Sequence, residues 1–230
     1  MFSLAIFSAV PMEIQGILDE LKAIEIFLGR DLPEGLRMFR AKVQGKEILF
    51  ASLGIGILSF SIKLGIVLGA FDLKKAILVG TAGVFPHSKL KIGDVAVADT
   101  ESLWEAKGQD LIPHLLSSIH MQPQRPRYWE GLESFLKHQA IPFVPMLTVL
   151  NPSKDMEEAE HRKIKSEAEC ENMEGYAFYL CLKQMGLCGV EIRAISNIAG
   201  ERDKAKWEMP KACRAIKHMV LYILGEGAYA

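Results

Sequence analysis

The chain has 230 residues, of which 50% are hydrophobic and 24% are charged. This composition predicts a buried core and excludes an extended disordered protein. The 27 basic and 28 acidic residues give a formal net charge of −1, which argues against binding to nucleic acid or to an anionic membrane surface. A small neutral or weakly charged ligand fits better, and the length suits one α/β domain over residues 1–230.

The cysteines and histidines predict neither disulfides nor a metal site. The four cysteines, at positions 170, 181, 188 and 213, form no CxxC pair, so we interpret them as free thiols in a reducing compartment, the cytoplasm. The six histidines are scattered and form no HxxxH motif. No metal is therefore expected.

Strands and helices are predicted to alternate from the first residues onward. Residues 3–9 indicate a buried strand rather than a secretory signal, because acidic residues follow and no basic residue precedes them. Pro11 suits the first turn of a helix that extends to Phe27, and a hairpin over 36–43 and 47–53 turns around Gln44-Gly45-Lys46. The apolar stretch 48–71 resembles a membrane span, but its glycines divide it into a strand, a turn and a helix over 59–71.

The second half of the chain continues the alternation. Strands are predicted over 76–79, 95–98, 143–150 and 190–196, and helices over 155–169, 174–185 and 208–224. Strands that alternate with helices indicate a mostly parallel sheet covered on both sides, which is an α/β fold.

Two motifs that could carry chemistry follow the first and fourth predicted strands, where ligands bind in parallel sheets. Glu13 comes directly after a buried strand and could act as a general base, although acidic residues also favour the first turn of a helix. In Gly80-Thr81-Ala82-Gly83 the small residues let backbone N–H groups approach a ligand, and Thr81 adds a hydroxyl. A simple tight turn would have the same composition.

Two further motifs lie near the predicted strand ends of the second half. Glu174, preceded by Met173, could bind the two hydroxyls of a ribose, with a helix-capping carboxylate as the alternative. Arg193 lies in an otherwise apolar strand and needs a carboxylate partner, for which Glu13 and Glu174 are the candidates. Asn197 offers an amide that suits the edge of a purine, or it forms a turn.

These motifs, in this order and at these separations, resemble the nucleosidase branch of the purine nucleoside phosphorylase superfamily over residues 5–212, less clearly near 100–145. Asn172-Met-Glu-Gly175 and Arg193-Ala-Ile-Ser-Asn197 carry the resemblance to its methylthioadenosine/S-adenosylhomocysteine nucleosidases. Futalosine hydrolases, which act in an alternative menaquinone pathway, are more similar through Glu191-Ile-Arg-Ala-Ile-Ser-Asn197, Gly200-Glu-Arg-Asp203 and Trp207. The resemblance implies a three-layer α/β/α fold around a mixed, mostly parallel twisted sheet.

The resemblance also implies a role for each candidate residue in the hydrolysis of a purine nucleoside. Glu13 would activate the attacking water, Glu174 would hold the ribose hydroxyls, and Arg193 would organise both carboxylates. The other substrate-binding candidates are Met173 against the sugar, Thr81, Ala82 and Gly83 near the base and water, and Ser196 beside Asn197. No cofactor is expected, and the family implies a homodimer or larger assembly.

Asn197 stands where the adenine-specific nucleosidases carry an aspartate. A neutral amide can donate to N7 or O6 of a 6-oxopurine such as hypoxanthine. This agrees with the resemblance to futalosine hydrolases, which implies that the chain converts futalosine to hypoxanthine and dehypoxanthine futalosine. Leu78-Val79 precede Gly80 where related phosphorylases carry a phosphate-binding arginine, which favours water as the nucleophile. An adenine nucleosidase, a phosphorylase and a non-catalytic purine-binding module remain the alternatives.

Overall fold

The structure is a computed structural model that describes residues 2–28, 33–104 and 123–229. Within these ranges the strands are β1 (Leu4–Ser8), β2 (Ile24–Ile26), β3 (Arg37–Val43), β4 (Lys46–Ser52), β5 (Lys75–Val84), β6 (Val95–Leu103), β7 (Phe143–Thr148), β8 (Cys170–Asn172) and β9 (Cys188–Ile198). The helices are α1 (Pro11–Glu20), α2 (Ile57–Ala70), α3 (Leu132–His138), α4 (Met156–Ser166), α5 (Gly175–Met185) and α6 (Met209–Gly225).

The described strands form one sheet in the order β2-β3-β4-β1-β5-β8-β7-β6-β9. Strand β5 also pairs with β9, so β5, β8, β7, β6 and β9 close into a barrel from which the other strands extend. Five of the described strand pairs are parallel, namely β1–β4, β1–β5, β5–β9, β6–β7 and β7–β8. Four pairs are antiparallel. The predicted α/β fold with a mixed, mostly parallel sheet is confirmed.

Helices cover both faces of the sheet, because each helix has an apolar face that must be buried. On one face, Phe60 and Leu64 of α2 and Phe178 of α5 pack into a single apolar cluster. On the other face, Ile14 of α1 and Ile216 of α6 belong to a second cluster. The three layers hold the ends of the central strands rigidly, and these strand ends carry the predicted site.

Two predicted elements differ from the observed ones near the N-terminus and in the centre. The helix predicted over 11–27 ends at Glu20, because Lys22 adopts a positive φ of 49° and Ile24–Ile26 then pairs with β3. Ile24 fits the helical spacing but is 60% exposed at the sheet edge. The strand predicted over 76–79 continues to Val84, so Gly80-Thr81-Ala82-Gly83 is a strand and not a tight turn.

The remaining predicted elements agree with the structure within a few residues, except that the strand predicted over 95–98 continues to Leu103. The helix α3 and the short strand β8 were not predicted. The hairpin turns at Gln44 and Gly45, both with positive φ, and Gly186 ends α5 in the left-handed conformation. The membrane-like stretch 48–71 divides into β4 and α2 as predicted. No helix in the described part of the chain has the length and apolarity needed to cross a membrane.

Candidate active site

A cavity of about 200 Å³, partly open to solvent, lies at the carboxyl ends of β1, β5 and β9. Its wall is mostly apolar with a few polar and charged groups, which is typical of small-molecule sites. The nine predicted site residues all line it: Glu13, Thr81, Ala82, Gly83, Met173, Glu174, Arg193, Ser196 and Asn197. Strands β1, β5 and β9 run parallel side by side, which explains how residues distant in sequence come to share one cavity.

Glu13 is buried and its carboxylate joins α1 to β5. Oε2 accepts the backbone N–H groups of Ala9 and Val10 at 3.1 and 3.2 Å, and Oε1 accepts the N–H of Thr81 at 2.9 Å. The Thr81 hydroxyl lies 3.3 Å from the same oxygen. Glu13 therefore caps the first turn of α1, as the alternative interpretation held, but it also reaches across to β5 at the cavity wall.

Burial raises the pKa of Glu13 above the ordinary glutamate value, and the nearby charge of Glu174 adds to this increase. The positive charge of Arg193 and the backbone N–H donors lower the pKa but do not cancel the effect of burial. A raised pKa makes this carboxylate a better proton acceptor than an exposed one.

Glu174 precedes α5 and does not cap it, so the capping alternative is wrong for this residue. The cap is Asn172, whose Oδ1 accepts the N–H groups of Glu174 and Gly175 at 3.0 and 2.8 Å. The Glu174 carboxylate is thereby free to turn toward the cavity. Its Oε1 accepts the N–H of Gly56 at 3.0 Å, and its Oε2 pairs with Arg193 Nη2 at 3.3 Å.

Arg193 is buried and pairs with two carboxylates. Nε donates to Glu191 Oε1 at 2.7 Å, and Nη2 donates to Glu174 Oε2 and to Asn172 Oδ1 at 3.3 and 3.2 Å. Glu174 was a predicted partner and Glu191 was not. Glu13 was the other candidate: it lies near enough to influence Arg193 through its charge, but no ion pair joins them in the described structure.

Gly80 separates Glu13 from Arg193. A Cβ atom at this position would lie 2.3 Å from Arg193 Nη1 and 3.2 Å from Glu13 Oε1. Both distances are shorter than ordinary contacts, so a side chain here would push the two charged groups apart. The glycine is required by the close approach of these side chains.

Asn197 lies at a local irregularity of β9. The register between β5 and β9 shifts after Ala82 and Ile195, so that Gly83 pairs with Asn197 and Ser196 is the extra residue. Ser196 Oγ lies 2.8 Å from Asn197 Oδ1, and Asn197 Nδ2 donates to the carbonyl of Ile198 at 3.0 Å. These contacts orient the amide and leave its second N–H without a partner among the described residues.

A second buried ion pair borders the cavity on the side of the loop 151–153. Glu171 accepts the backbone N–H of Ser153 at 2.9 Å and its hydroxyl at 2.6 Å, and Arg162 Nη1 lies 3.1 Å from the same carboxylate. Pro152 and Ser153 line the cavity. The pair therefore fixes the cavity wall formed by this loop.

Several residues of the site were not predicted. Glu191 lies two positions before Arg193 on the same strand, and alternation places both side chains on one face, so the sequence contained this signal. Gly56 donates its backbone N–H to Glu174, and Asn172 caps the start of α5. Both contacts depend on the fold and have no signal in the sequence. The described residues include no group of three side chains suited to bind a metal.

The family model of the Phosphorylase superfamily matches residues 3–224 of the chain. The chain belongs to this superfamily. A curated futalosine hydrolase from Thermus thermophilus is 26% identical over 190 residues, which cover 80% of this chain and 84% of the relative.

Two solved structures of the superfamily have a similar fold. A mutant futalosine hydrolase of Helicobacter pylori has a TM-score of 0.77 and 22% identity, covering 96% of this chain and 100% of that one. The methylthioadenosine/S-adenosylhomocysteine nucleosidase of Campylobacter jejuni has a TM-score of 0.80 and 18% identity, with both chains fully covered. At these identities the similarity establishes the fold.

Replacing Gly80 with alanine should destabilise the protein, because the added methyl group overlaps the Arg193 guanidinium. We expect G80A to lower the free energy of unfolding by about 1–3 kcal/mol, as overpacked core substitutions do, measured by urea denaturation at pH 7. Gly225→Ala is the matched control, since a Cβ there meets no atom within 4 Å. Equal stability of the two variants would contradict the packing described here.

Proposed function

We propose that this chain hydrolyses the N-glycosidic bond of a purine nucleoside, and that its substrate is futalosine, which gives hypoxanthine and dehypoxanthine futalosine. The observation that carries the proposal is the placement of two buried carboxylates, Glu13 and Glu174, and the Asn197 amide around one cavity. A general base, a group that holds a diol and a group that binds a purine edge are the parts this reaction requires. The futalosine hydrolase from Thermus thermophilus supports the choice of substrate.

In the proposed reaction the bond between the anomeric carbon and purine N9 breaks while a water oxygen bonds to that carbon. The base leaves with the electron pair of the broken bond and is then protonated by solvent. Glu13 takes one proton of the attacking water and afterwards releases it to solvent. General-base catalysis of this kind contributes about 10²–10⁴-fold in rate. The raised pKa of Glu13 suits this role, and the Thr81 hydroxyl beside it can orient the water.

Glu174 is proposed to accept hydrogen bonds from the ribose hydroxyls. Gly56 and Arg193 hold its carboxylate from two sides, which leaves the outward lone pairs for the sugar. Met173, also on the cavity wall, would lie against the sugar face. A ribose fixed in this way would present its anomeric carbon to the water near Glu13, and such positioning contributes strongly to the rate.

Asn197 is proposed to stabilise the charge that develops on the leaving base. Ser196 can donate to Oδ1, which directs the amide nitrogen toward the cavity and makes Asn197 a donor to N7 or O6. A 6-oxopurine accepts at both positions, whereas a 6-amino group presents hydrogens. Buried groups left without a partner are costly, so this contact discriminates between bases.

Water rather than phosphate is the proposed nucleophile. Two arginines line the cavity, Arg193 and Arg202. The charge of Arg193 is already balanced by Glu191 and Glu174, and Arg202 lies in the loop after β9, five positions beyond Asn197. The region around Glu13 and Thr81 thus offers a carboxylate to the nucleophile, which suits water and repels an anion.

The substrate assignment is tested by incubating the purified protein with futalosine, inosine and methylthioadenosine in phosphate-free buffer and separating the bases by chromatography. We expect hypoxanthine from futalosine. Inosine is the matched control for the 5′ substituent, because it carries the same base without the extension. Adenine from methylthioadenosine would identify an adenine nucleosidase instead, and no base from any substrate would favour a purine-binding module.

Replacing Asn197 with aspartate should shift the base preference from 6-oxo toward 6-amino purines. The carboxylate accepts where the amide donates, so the ratio of kcat/KM for futalosine to that for methylthioadenosine should fall by about ten- to a hundredfold. Asn151→Asp is the control, since it adds the same charge on an exposed residue that does not line the cavity. An unchanged ratio in N197D would mean that Asn197 does not read the base.

We propose that the chain forms a homodimer or larger assembly through an apolar stripe on α2. Leu58 and Ile62 are 78% and 63% exposed, and Gly65 and Gly69 continue the stripe with no atom near their Cβ positions. Such a surface suits a second copy of the chain. Ile55 and Gly56, just before α2, belong to the site, so this partner would lie close to the cavity.

Light scattering coupled to size-exclusion chromatography tests the assembly. The wild type is expected at a multiple of 25.6 kDa, and the Leu58→Glu/Ile62→Glu variant at the mass of one chain, because charges at a buried interface cost more than the contact gains. Ile164→Glu is the control, since Ile164 on α4 is similarly exposed, at 74%. A wild type that elutes as a single chain would rule the assembly out.

The free thiols of Cys170, Cys181, Cys188 and Cys213 support a proposed location in the cytoplasm, where thiols stay reduced. The small net charge supports a small-molecule substrate rather than a nucleic acid. We propose that residues 1–230 work as one domain, in keeping with the family match over 3–224.

A further inference from the structure

Two fully buried glutamates, Glu101 on β6 and Glu191 on β9, lie behind the site residues. In each carboxyl group one oxygen is well satisfied. Glu101 Oε1 accepts the Thr148 hydroxyl at 2.6 Å and Asn172 Nδ2 at 3.0 Å, and Glu191 Oε1 accepts Arg193 Nε at 2.7 Å. The two Oε2 atoms receive no donor from any other described residue.

The two carboxyl groups are within hydrogen-bonding reach of each other. Two carboxylates cannot hydrogen-bond, because both are acceptors and both carry negative charge. A carboxylic acid and a carboxylate can, and this arrangement satisfies both buried oxygens with one proton. Leaving two carboxylate oxygens buried without a donor would cost several times as much as an ordinary lost hydrogen bond.

We propose that Glu101 and Glu191 share one proton as a carboxylic acid–carboxylate pair, and that this pair fixes the position of Arg193 beside Glu174. The proton sits on Glu101 and is donated to Glu191 Oε2. The shared proton follows from the packing of the two carboxyl groups alone. The effect of the pair on catalysis rests on the proposed function, because it acts on Glu174, the residue proposed to hold the ribose.

The charge balance around Arg193 supports the pair. Glu174 and Glu191 contact this guanidinium and Glu13 lies nearby, so three carboxylates already face one cation before Glu101 is counted. A fourth buried negative charge would have no counterion among the described residues. Protonating Glu101 removes that charge where the desolvation penalty is greatest.

Other groups packed against the pair do not supply a counterion. The Cys170 thiol on β8 and the Tyr179 hydroxyl on α5 both have raised pKa values because of burial and the nearby glutamates, so both are neutral. Burial and the charge of Glu191 raise the pKa of Glu101 well above its usual range. Glu191 contacts Arg193 directly, which makes it the better anion of the two.

Two chains of contacts connect the pair to Glu174. Glu191 holds Arg193 through Nε, and Arg193 contacts Glu174 through Nη2. Glu101 holds Asn172 through Nδ2, and Asn172 accepts the backbone N–H of Glu174. Glu101 and Glu191 are therefore positioning residues for Glu174, the proposed ribose-binding residue. Glu191 holds the Glu174 side chain through Arg193, and Glu101 holds the Glu174 backbone through Asn172.

Glu101→Gln tests the shared proton, because a glutamine reproduces the hydrogen bonds of the protonated acid. Its carbonyl accepts from Thr148 and Asn172, and its NH₂ donates to Glu191. We expect the midpoint of thermal unfolding of E101Q at pH 7 to lie no more than about 2 °C below that of the wild type, and a higher midpoint agrees with the proposal because the glutamine needs no proton. A decrease as large as that of the control below would overturn the proposal.

Glu171→Gln is the matched control, since Glu171 is a buried glutamate that is paired as an anion. Its carboxylate accepts from Ser153 and from Arg162, so an NH₂ group would face donors there. Breaking a buried ion pair costs about 3–5 kcal/mol, and we expect the midpoint for E171Q to fall by at least about 6 °C.

The pH dependence of stability gives a second test. The pKa of Glu101 is raised in the folded state, so the folded protein holds its proton at a pH where the unfolded chain has lost it. The resulting stability is present at low pH and is lost as the pH rises through the folded-state pKa. The unfolding midpoint of E101Q should therefore increase relative to the wild type as the pH rises above the ordinary pKa of a glutamate, and a constant difference would contradict the shared proton.

Infrared spectra of protein labelled with ¹³C-glutamate observe the proton directly. The wild type near neutral pH should show the carbonyl stretch of a buried carboxylic acid, and this band should be lost in E101Q and retained in Glu13→Gln. An identical acid signal in E101Q and the wild type would overturn the proposal. Neither spectra nor unfolding depend on nucleoside turnover, so their outcome is independent of the proposed function.

Discussion

The burial of one guanidinium, Arg193, is the constraint on which the rest of the site depends. A buried arginine is stable only with carboxylates and hydrogen-bond acceptors around its whole fork. Glu191, Glu174 and Asn172 supply them, and this need brings the ends of β8 and β9 and the start of α5 together. The cation also determines how many neighbouring carboxyl groups can be ionised.

Glycine positions make room for this cluster. A Cβ at Gly80 would overlap Arg193, and a Cβ at Gly175 would overlap the Glu191 carboxylate, so the backbone must come close to the charges. Burial around the same cluster raises the pKa of Glu13. The interactions that stabilise the buried arginine therefore also set the basicity of the proposed catalytic carboxylate, and stability and chemistry cannot be changed independently here.

Much of the fold and most of the cavity were predictable because their signals are local. Buried strands, the hairpin turn at Gln44-Gly45 and the glycine stop at Gly186 are each encoded within a few residues. The strand-end rule then placed Glu13, Thr81 and Asn197 at one edge of the sheet. An arginine within an otherwise apolar strand is unusual, and this pattern alone indicated that Arg193 belongs to the site.

The features that could not be predicted depend on contacts between parts of the chain that are distant in sequence. Strand β8 has three residues and is defined by its neighbours β5 and β7. In the sequence Glu101 looks like an ordinary charged residue, and only the fold buries it near Glu191. Of the two candidate partners of Arg193, Glu174 forms an ion pair and Glu13 does not, because Glu191 takes the second position on the guanidinium. Glu191 lies two positions before Arg193 on the same strand face, so strand alternation predicts this contact.

The most direct test of the central claim is the origin of the oxygen that reaches the sugar. Futalosine is converted in H₂¹⁸O with inorganic phosphate present, the sugar product is reduced at once to prevent oxygen exchange, and its mass is measured. Hydrolysis activated by Glu13 predicts one ¹⁸O at the anomeric carbon and a rate that phosphate does not change. A sugar phosphate without the label, formed at a rate that rises with phosphate, would contradict the account.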